Sequence, residues 1–328
     1  MAAEEGASGV APLMRETGVS PLLIGAIERL ARGEANTLSS LLCEVGTTLD
    51  LPGTNAHCRC HFVERDGNRK VQIDALVERL AEEVIDYCIP RNRIAEAEKH
   101  LREHGSASKF TALATEAREL FVKSEPSGEG GELLLYLLLE NLLRLPQLFC
   151  KMPLKTSSET HVHGVDGVHG KLLDDGTLAL YWGESKLHAT VNSAIDECFK
   201  SLAPYLTGGS SGPAKRDLLL LREHLDLGDN RFKAALLQFF DRSRPEAAKV
   251  QFRGACLIGF DLGDYPEPFP NGGEEICGEV AAAITKWHKR IGERVTDHAL
   301  DSFELEVFYL PMPSVREFRE KMLERLSR

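Results

Sequence analysis

A carboxylate and an ammonium group lie two residues apart at the end of an apolar run. Residues 178–183 are apolar, and Glu184, Ser185 and Lys186 follow them. The run is typical of a strand, in which side chains alternate between two faces with a period of two. A carboxylate and an ammonium on one face can together hold a hard cation and activate a water, which is the chemistry of phosphodiester hydrolysis. The predicted face carries Trp182, Glu184, Lys186 and His188.

Two further carboxylates are expected near this pair. Asp166 precedes Glu184 by 18 residues, and the turn sequence at 174–176 indicates a hairpin between them. The hairpin would bring Glu184 back to the level of Asp166 on the neighbouring strand. Glu132 lies in the first turn of a leucine-rich helix, where the helix dipole favours a carboxylate. A plain capping role for Glu132 is the alternative.

The order of these elements resembles the PD-(D/E)xK nuclease superfamily. In that order, a helix carries Glu132, a strand carries Asp166, a second strand carries the E-x-K triplet, and a helix follows. The resemblance covers about residues 128–206. Two departures from the usual pattern are Val165, where a proline normally precedes the aspartate, and Gly183, which interrupts the second strand.

A longer pattern, residues 163–169 followed by residues 182–186, resembles the HamA C-terminal domain family. That family supplies the nuclease subunit of the Hachiman antiphage defence system, which is paired with a superfamily 2 helicase. The resemblance implies a metal-dependent DNA endonuclease that acts as the effector subunit of a helicase-coupled defence complex. It also implies that the helicase restrains the nuclease until damaged or foreign DNA is engaged.

The chemistry of phosphodiester cleavage suggests a role for each candidate residue. Asp166 and Glu184 would be carboxylate ligands of Mg²⁺, with Mn²⁺ as the alternative ion, and the backbone carbonyl of Ser185 would be a third ligand. Lys186 would orient the nucleophile or offset phosphate charge as a compact cation. Glu132 would help to hold a metal-bound water or a second ion.

Histidines and cysteines offer an alternative zinc chemistry. His161 and His163 resemble part of the H-x-H-x-D-H string of zinc metallohydrolases, but Asp166 comes one residue late and Gly167 replaces the final histidine. At 57–61, strand alternation would place two histidines on one face and two cysteines on the other, which splits any shared site. We therefore expect no stoichiometric zinc. A zinc-dependent hydrolase ranks after a second alternative, a non-catalytic α/β interaction subunit.

The remaining polar residues of interest could contact DNA. His163 and His169 are expected to line the cleft, where they contact phosphate or fix a loop. A later basic stretch fits either an ordinary solvated surface or a phosphate-contacting rim beside the cleft. It comprises Arg231, Lys233, Arg242, Arg244, Lys249 and Arg253.

The composition narrows the class of protein. The 328 residues are 43% hydrophobic and 27% charged, and the formal net charge of −11 disfavours binding nucleic acid by bulk electrostatics alone.

None of the eight cysteines forms a C-x-x-C pair, and the start of the chain lacks signal-peptide features, so a reducing, cytoplasmic location is expected. The most apolar segment is too short and polar to span a membrane. The chain lacks a G-x-x-x-x-G-K-[ST] loop, so no nucleotide cofactor is expected.

Strands interleave with helices in the predicted order of elements. This order favours an α/β fold in which a PD-(D/E)xK nuclease-like mixed sheet is flanked by helices. A loop rich in Gly, Ser and Glu at 124–131 suggests a domain boundary. Residues 1–125 are predicted to form a mainly helical α+β domain that docks the partner, and residues 126–328 to form the nuclease domain.

Overall fold

The computed structural model describes residues 14–15, 18–19, 21–33, 37–46, 49–124, 128–155, 164–208, 212–225, 227, 229–267 and 278–327. The strands are β1 (Met14–Arg15), β2 (Gly18–Val19), β3 (Leu42–Glu44), β4 (Leu49–Asp50), β5 (Ala56–Val63), β6 (Gly167–Leu172), β7 (Leu178–His188), β8 (Val250–Asp261) and β9 (Leu305–Met312). The helices are α1 (Pro21–Glu28), α2 (Ile73–Glu82), α3 (Val84–Cys88), α4 (Arg91–His104), α5 (Ser108–Ser124), α6 (Glu129–Leu137), α7 (Met152–Lys155), α8 (Val191–Thr207), α9 (Pro213–His224), α10 (Asn230–Leu237), α11 (Gly278–Asp297) and α12 (Val315–Leu326).

A mixed sheet forms the centre of the molecule, with strand order β3-β5-β9-β8-β7-β6. The four central strands β5, β9, β8 and β7 run parallel to one another. The strands β6 and β3 are antiparallel to their neighbours, and β4 also pairs with β5. Parallel neighbours need crossover connections, which α8–α10 supply between β7 and β8 and α11 supplies between β8 and β9.

Helices cover both faces of this sheet, as a largely parallel sheet requires. On β7, the side chains of Leu180 and Trp182 pack in one apolar core together with Phe199 of α8. The alternate side chain Tyr181 packs in the second core, which contains Leu134 of α6. The predicted α/β fold with helices on both faces of a mixed sheet is therefore confirmed.

The hairpin of β6 and β7 has unequal arms. Its turn closes at Gly176, whose φ of 82° lies in the left-handed region that glycine adopts at no steric cost. At the other end, Gly167 at the start of β6 lies opposite Gly183. Residues 184–188 of β7 therefore run past the start of β6, while their other side pairs with β8.

Most elements follow the local pattern of the sequence to within a few residues. Residues 71–104 have a helical pattern that residues 88–90 are expected to interrupt, and this break is confirmed, because Pro90 lacks an N–H and the preceding Ile89 is extended. A second break, at Glu83 between α2 and α3, was not predicted. The leucine-rich helix of Glu132, which the apolar pattern predicts over about 131–145, ends as α6 at Leu137 and continues as a π-helical turn, Leu138–Leu142. The strand before the hairpin turn is predicted over about 162–173, and its residues 162–163 lie outside the described part of the chain.

The predictions that the cysteines are buried free thiols and that the chain has no membrane-spanning helix can be checked within the described residues. The seven cysteines within the described residues are all free and buried, as expected, and Cys277 lies outside that part. Among the described helices, none combines the length and the apolar character needed to cross a membrane.

The proposed boundary near residue 125 falls between α5 and α6, but the sheet is continuous across it. Strand β5, from the N-terminal side, pairs in parallel with β9 over five residues. Both apolar cores also combine side chains from the two sides, such as Phe62 with Trp182 and Phe121 with Leu134. The assignment of partner docking to residues 1–125 stays a prediction.

This shared sheet predicts that the two sides unfold together. Amide hydrogens that bond β5 to β9 should exchange with solvent as slowly as those that bond β8 to β9, because both require global opening. Native-state hydrogen exchange measures this, and the exposed face of α4 supplies a fast-exchanging control. If β5 exchanges orders of magnitude faster than β8, residues 1–125 open as a separate unit and this prediction is wrong.

Candidate active site

The start of α6 approaches β7 unusually closely, and this sets the position of Glu132. A Cβ atom built at Gly131 would lie 2.7 Å from Ser185 Oγ and 3.0 Å from Leu187 Cγ. A real Cβ atom is almost never found that close to another atom, so a larger residue would push the helix away from the strand. The glycine at 131 therefore lets the first turn of α6 lie against the E-x-K segment, with Glu132 next in the chain.

Asp166 occupies the open edge of β7. Its N–H donates to the Gly183 carbonyl at 2.8 Å, and its carboxylate Oδ2 accepts from the Ser185 N–H at 2.7 Å. In an antiparallel pair, alternate residues direct both N–H and C=O to the neighbouring strand. The Ser185 carbonyl therefore faces the same open edge as the Asp166 carboxylate, which fits its predicted role as a third ligand.

Glu184 and Lys186 lie on the same face of β7, as the strand period predicts. Lys186 Nζ forms an ion pair with Glu184 Oε1 and also donates to the Ser185 carbonyl at 3.3 Å. Glu184 is 5% exposed, while the Lys186 side chain remains one quarter exposed. His188 continues the face and lies 3.1 Å from Glu197 of α8. The polar end of β7 is thus accessible through the partly exposed side chains of Lys186 and His188.

The charges in this cluster shift the pKa of both members of the pair. Burial raises the pKa of Glu184 above its usual range; Lys186 opposes the rise and the negative charge of Glu132 adds to it. For Lys186, burial lowers the pKa, but the charges of Glu184 and Asp166 outweigh burial and raise it. Lys186 is therefore protonated and positively charged at neutral pH. A nearby cation would stabilise the charged form of Glu184.

Tyr87 connects Glu132 to the N-terminal part of the chain. Its hydroxyl, on α3, donates to Glu132 Oε2 at 2.9 Å, and both side chains are buried. Burial and the negative charge of Glu132 raise the pKa of Tyr87, and Asp166 adds to this. Because a buried tyrosine hydroxyl needs a hydrogen-bond partner, Tyr87 helps to fix the Glu132 carboxylate. Nothing in the E-x-K pattern points to this residue.

Whether these residues fit a hard divalent cation can be judged from their donor chemistry. Asp166, Glu184 and the Ser185 carbonyl supply oxygen donors, which suit Mg²⁺ or Mn²⁺. Burial is the main cause of the raised pKa of Glu184, and a bound cation would stabilise the charged form of this carboxylate. No set of three His, Cys, Asp or Glu side chains is already arranged as a metal site within the described ranges. The donor set thus fits such an ion only with the backbone carbonyl included.

A buried ion pair that the sequence did not reveal supports the loop of Asp166. Lys151 donates to the carbonyl of Val165, the residue before Asp166, and lies 3.7 Å from Asp217 Oδ2 of α9. Both charged side chains are nearly inaccessible, at 3% and 1% exposed. A Cβ atom at Gly164 would lie 2.6 Å from Asp217 Oδ2, so this glycine lets the chain pass over the pair. We infer that the pair holds Asp166 in place.

The structure describes only some of the histidines that the sequence analysis singled out. His161 and His163 lie outside the described residues. His169 is buried, and its Nδ1 lies 2.8 Å from the Leu145 carbonyl, so it fixes a loop rather than contacting phosphate. On β5, Cys58 and Cys60 are buried in the apolar core and the neighbouring histidines lie on the other face, as predicted.

The residues of the predicted basic stretch lie in several environments. Arg231 pairs with Asp229 at 3.0 Å, and Arg253 bonds the Tyr181 hydroxyl at 2.9 Å. Lys249 precedes Val250, which lies opposite Leu178 at the end of β7 away from Glu184. Their role in binding phosphate stays a prediction.

The fold and these side chains define a mixed α/β protein with a carboxylate and lysine cluster at an open sheet edge. The family model of HamA matches residues 39–326, so the chain belongs to the HamA family. This family is a component of Hachiman antiphage defence, where it acts with a partner. No curated protein matches the chain.

The ion pair below Asp166 predicts a strong energetic coupling. Lys151→Met leaves the Asp217 carboxylate buried without its cation and should lower the free energy of unfolding by about 3–5 kcal/mol. The double variant Lys151→Met/Asp217→Asn should recover part of this loss, because the uncompensated charge is gone. Urea unfolding of the four proteins of this double-mutant cycle measures the coupling. Strictly additive effects of the two substitutions would contradict a direct interaction.

His169 predicts a pH dependence of stability. Burial lowers the pKa of His169 to about 4; the Leu145 hydrogen bond opposes this, and the charge of Arg91 adds to it. An unfolded histidine titrates near 6.5, so between pH 6.5 and 4 the unfolded chain binds one more proton and stability falls as pH falls. His169→Gln should remove about 2 kcal/mol of the loss between pH 7 and pH 5.

Urea midpoints at the two pH values provide the measurement. His104→Gln is the matched control, because His104 is exposed at the end of α4. An equal pH dependence for wild type and His169→Gln would show that His169 is not held neutral in the folded protein.

Proposed function

We propose that the chain is a metal-dependent DNA endonuclease, the effector subunit of a helicase-coupled antiphage defence complex. The observation that supports this most is the convergence of Asp166, Glu184, the Ser185 carbonyl and Lys186 at the open edge of β7. Family membership supports the defence role. In this proposal, the DNA phosphodiester enters along that edge beside the partly exposed Lys186.

Hydrolysis joins a water oxygen to phosphorus and breaks the bond between phosphorus and the leaving sugar oxygen. The water loses a proton, and the leaving oxygen gains one. Asp166, Glu184 and the Ser185 carbonyl would hold Mg²⁺ or Mn²⁺, which lowers the pKa of bound water and offsets charge on the phosphate when it is bound. The chain's own part is to bind, orient and supply fixed charge.

We assign Lys186 the role of a hydrogen-bond donor rather than a base. Because its pKa is raised, Lys186 keeps its proton at neutral pH and cannot accept one from water. It instead orients the attacking water through a hydrogen bond or stabilises the added negative charge on phosphate. Glu132, fixed by Tyr87, would position a water or a second ion from the α6 side.

The partner in this proposal is a superfamily 2 helicase. A free nuclease without sequence preference would damage host DNA, so its activity needs a gate that depends on differential binding between two states. The net charge of −11 gives the chain little long-range attraction to DNA, and a partner could supply that affinity. The gate is tested by comparing the rate of DNA cleavage by the subunit alone with the rate of cleavage by the complex. Both are measured on closed circular DNA and on DNA ends with ATP.

The test of the activity uses side-chain variants of the full chain. We expect each of three substitutions to lower the rate of Mg²⁺-dependent DNA cleavage: Asp166→Asn, Glu184→Gln and Lys186→Met. Loss of an outer-shell partner of a metal site can already cost roughly 100-fold, so the decrease should be at least that large. Glu197→Gln is the matched control, since Glu197 contacts His188 on the same sheet face but lies outside the cluster. The measurement is cleavage rate against Mg²⁺ concentration, with thermal unfolding as a check of folding.

Three outcomes would reject the proposal. Full cleavage by the Glu184 and Lys186 variants would assign the activity to a contaminant or to another site. No cleavage by wild type under any metal, alone or with the helicase, would favour the non-catalytic interaction subunit. One zinc per chain that survives dialysis, measured by elemental analysis, would instead favour the zinc-dependent hydrolase.

A further inference from the structure

Two adjoining cavities lie on the outer side of α9, on the side of the helix that faces away from Asp217. The first has a volume of about 220 Å³ and the second about 570 Å³. They share the lining residues Leu219 and Arg222, and we call the pair the α9 groove. Leu219 is a large apolar side chain that remains 48% exposed at the shared rim.

Helix geometry places the groove and the Asp166 loop on opposite sides of α9. Lys215, Leu219 and Arg222 follow spacings of four and three, so they share one face of the helix. Asp217 points the other way, towards Lys151 and the Asp166 loop. An α-helix with its side chains is about 10–12 Å across, so one helix diameter separates the groove from that loop.

The first cavity combines apolar walls with cations. Its floor includes Phe240 and Phe252, and its rim carries Lys215, Arg222 and Arg242. No carboxylate occurs among the described residues that line it, whereas Glu223 and Asp241 both line the second cavity. Anionic groups are therefore favoured at the first cavity.

The charge of this region opposes that of the chain. Residues 213–253 contain nine Lys and Arg against six Asp and Glu, although the chain as a whole has a net charge of −11. One of those acids, Asp217, is turned inward to Lys151, and another, Asp229, pairs with Arg231. The α9 groove thus lies in a locally basic region of an acidic protein.

We propose that the first cavity of the α9 groove binds an unpaired nucleotide of a nucleic-acid strand, with the base against the apolar wall and neighbouring phosphates on Lys215, Arg222 and Arg242. Duplex DNA keeps its bases stacked inside and needs no apolar cavity, whereas single-strand sites combine cations with aromatic side chains. The inference rests on the proposed function for its link to cleavage. It would make the chain select substrates with single-stranded character away from the cut, because Phe252 of the cavity lies opposite Leu180, four residues before Glu184 on β7.

Binding can be tested separately from cleavage. Fluorescence anisotropy in EDTA, with the full chain, measures affinity for a labelled 15-nucleotide thymidine strand, the matching ribo-oligonucleotide and a duplex of equal length. Ala247→Trp fills the first cavity, which Ala247 lines, and Ala248→Trp is its matched control on the exposed side of the same turn. Ala247→Trp should weaken single-strand binding by about tenfold, the scale of one stacked base, while Ala248→Trp and duplex binding change little.

A second variant tests the cations without filling the cavity. Arg222→Gln/Arg242→Gln should reduce the magnitude of the salt slope, log K against log salt, by about 1.4 for two lost single-strand phosphate contacts. The matched control is Lys99→Gln/Arg316→Gln, which removes the same charge at two exposed positions distant in sequence from α9. This control should leave the salt slope unchanged.

Each contrary result overturns the proposal. Equal single-strand affinity for Ala247→Trp and Ala248→Trp would do so, as would no measurable binding of single strands by wild type. Loss of helicase binding in Ala247→Trp with single-strand affinity intact would identify a protein-docking surface instead. Because no cleavage is measured, the α9 groove can fail while Glu184→Gln still abolishes the nuclease, and the reverse can also occur.

Discussion

The arrangement of the candidate site depends on one mismatch in strand length: β7 continues past the start of β6. A strand edge in the interior must satisfy its N–H and C=O groups. Here the Asp166 carboxylate accepts the Ser185 N–H, so a side chain replaces the missing strand. The same bond brings Asp166 to the level of the E-x-K segment, and the Ser185 carbonyl is left beside it. The local need for a backbone partner therefore assembles the oxygen donors.

Two glycines and a tyrosine carry this arrangement into the rest of the molecule. Gly131 allows α6 to approach β7, and Gly164 allows the Asp166 loop to lie over the Lys151–Asp217 pair. Tyr87 reaches Glu132 from α3, on the N-terminal side of the proposed boundary. The N-terminal part is thus continuous with the sheet and also touches the cluster. A partner docked on that part could influence the cluster through α3 without covering it.

The sequence predicted what local periodicity and turn chemistry determine. The hairpin, the shared face of Glu184 and Lys186, and the buried thiols of β5 follow from a strand period of two and a turn ending in Gly176. Lys151, Asp217 and Tyr87 could not be found in this way, because their partners lie between 14 and 66 residues away and each contact depends on how helices pack. The parallel pairing of β5 with β9 was missed for the same reason, since 249 residues separate the paired positions.

The electrostatic state of the cluster links structure to the proposed chemistry. Burial and the charge of Glu132 raise the pKa of Glu184, while Lys186 and Lys151 act in the opposite direction. Two lysines therefore hold together carboxylates that would otherwise repel one another in a poorly solvated place. The two lysines differ in their exposure to solvent. Lys151 is buried, donates a hydrogen bond to the Val165 carbonyl and pairs with Asp217, whereas Lys186 is partly exposed. Only Lys186 can meet a phosphate from solvent, so the enclosed lysine maintains the site and the exposed one is placed to act in it.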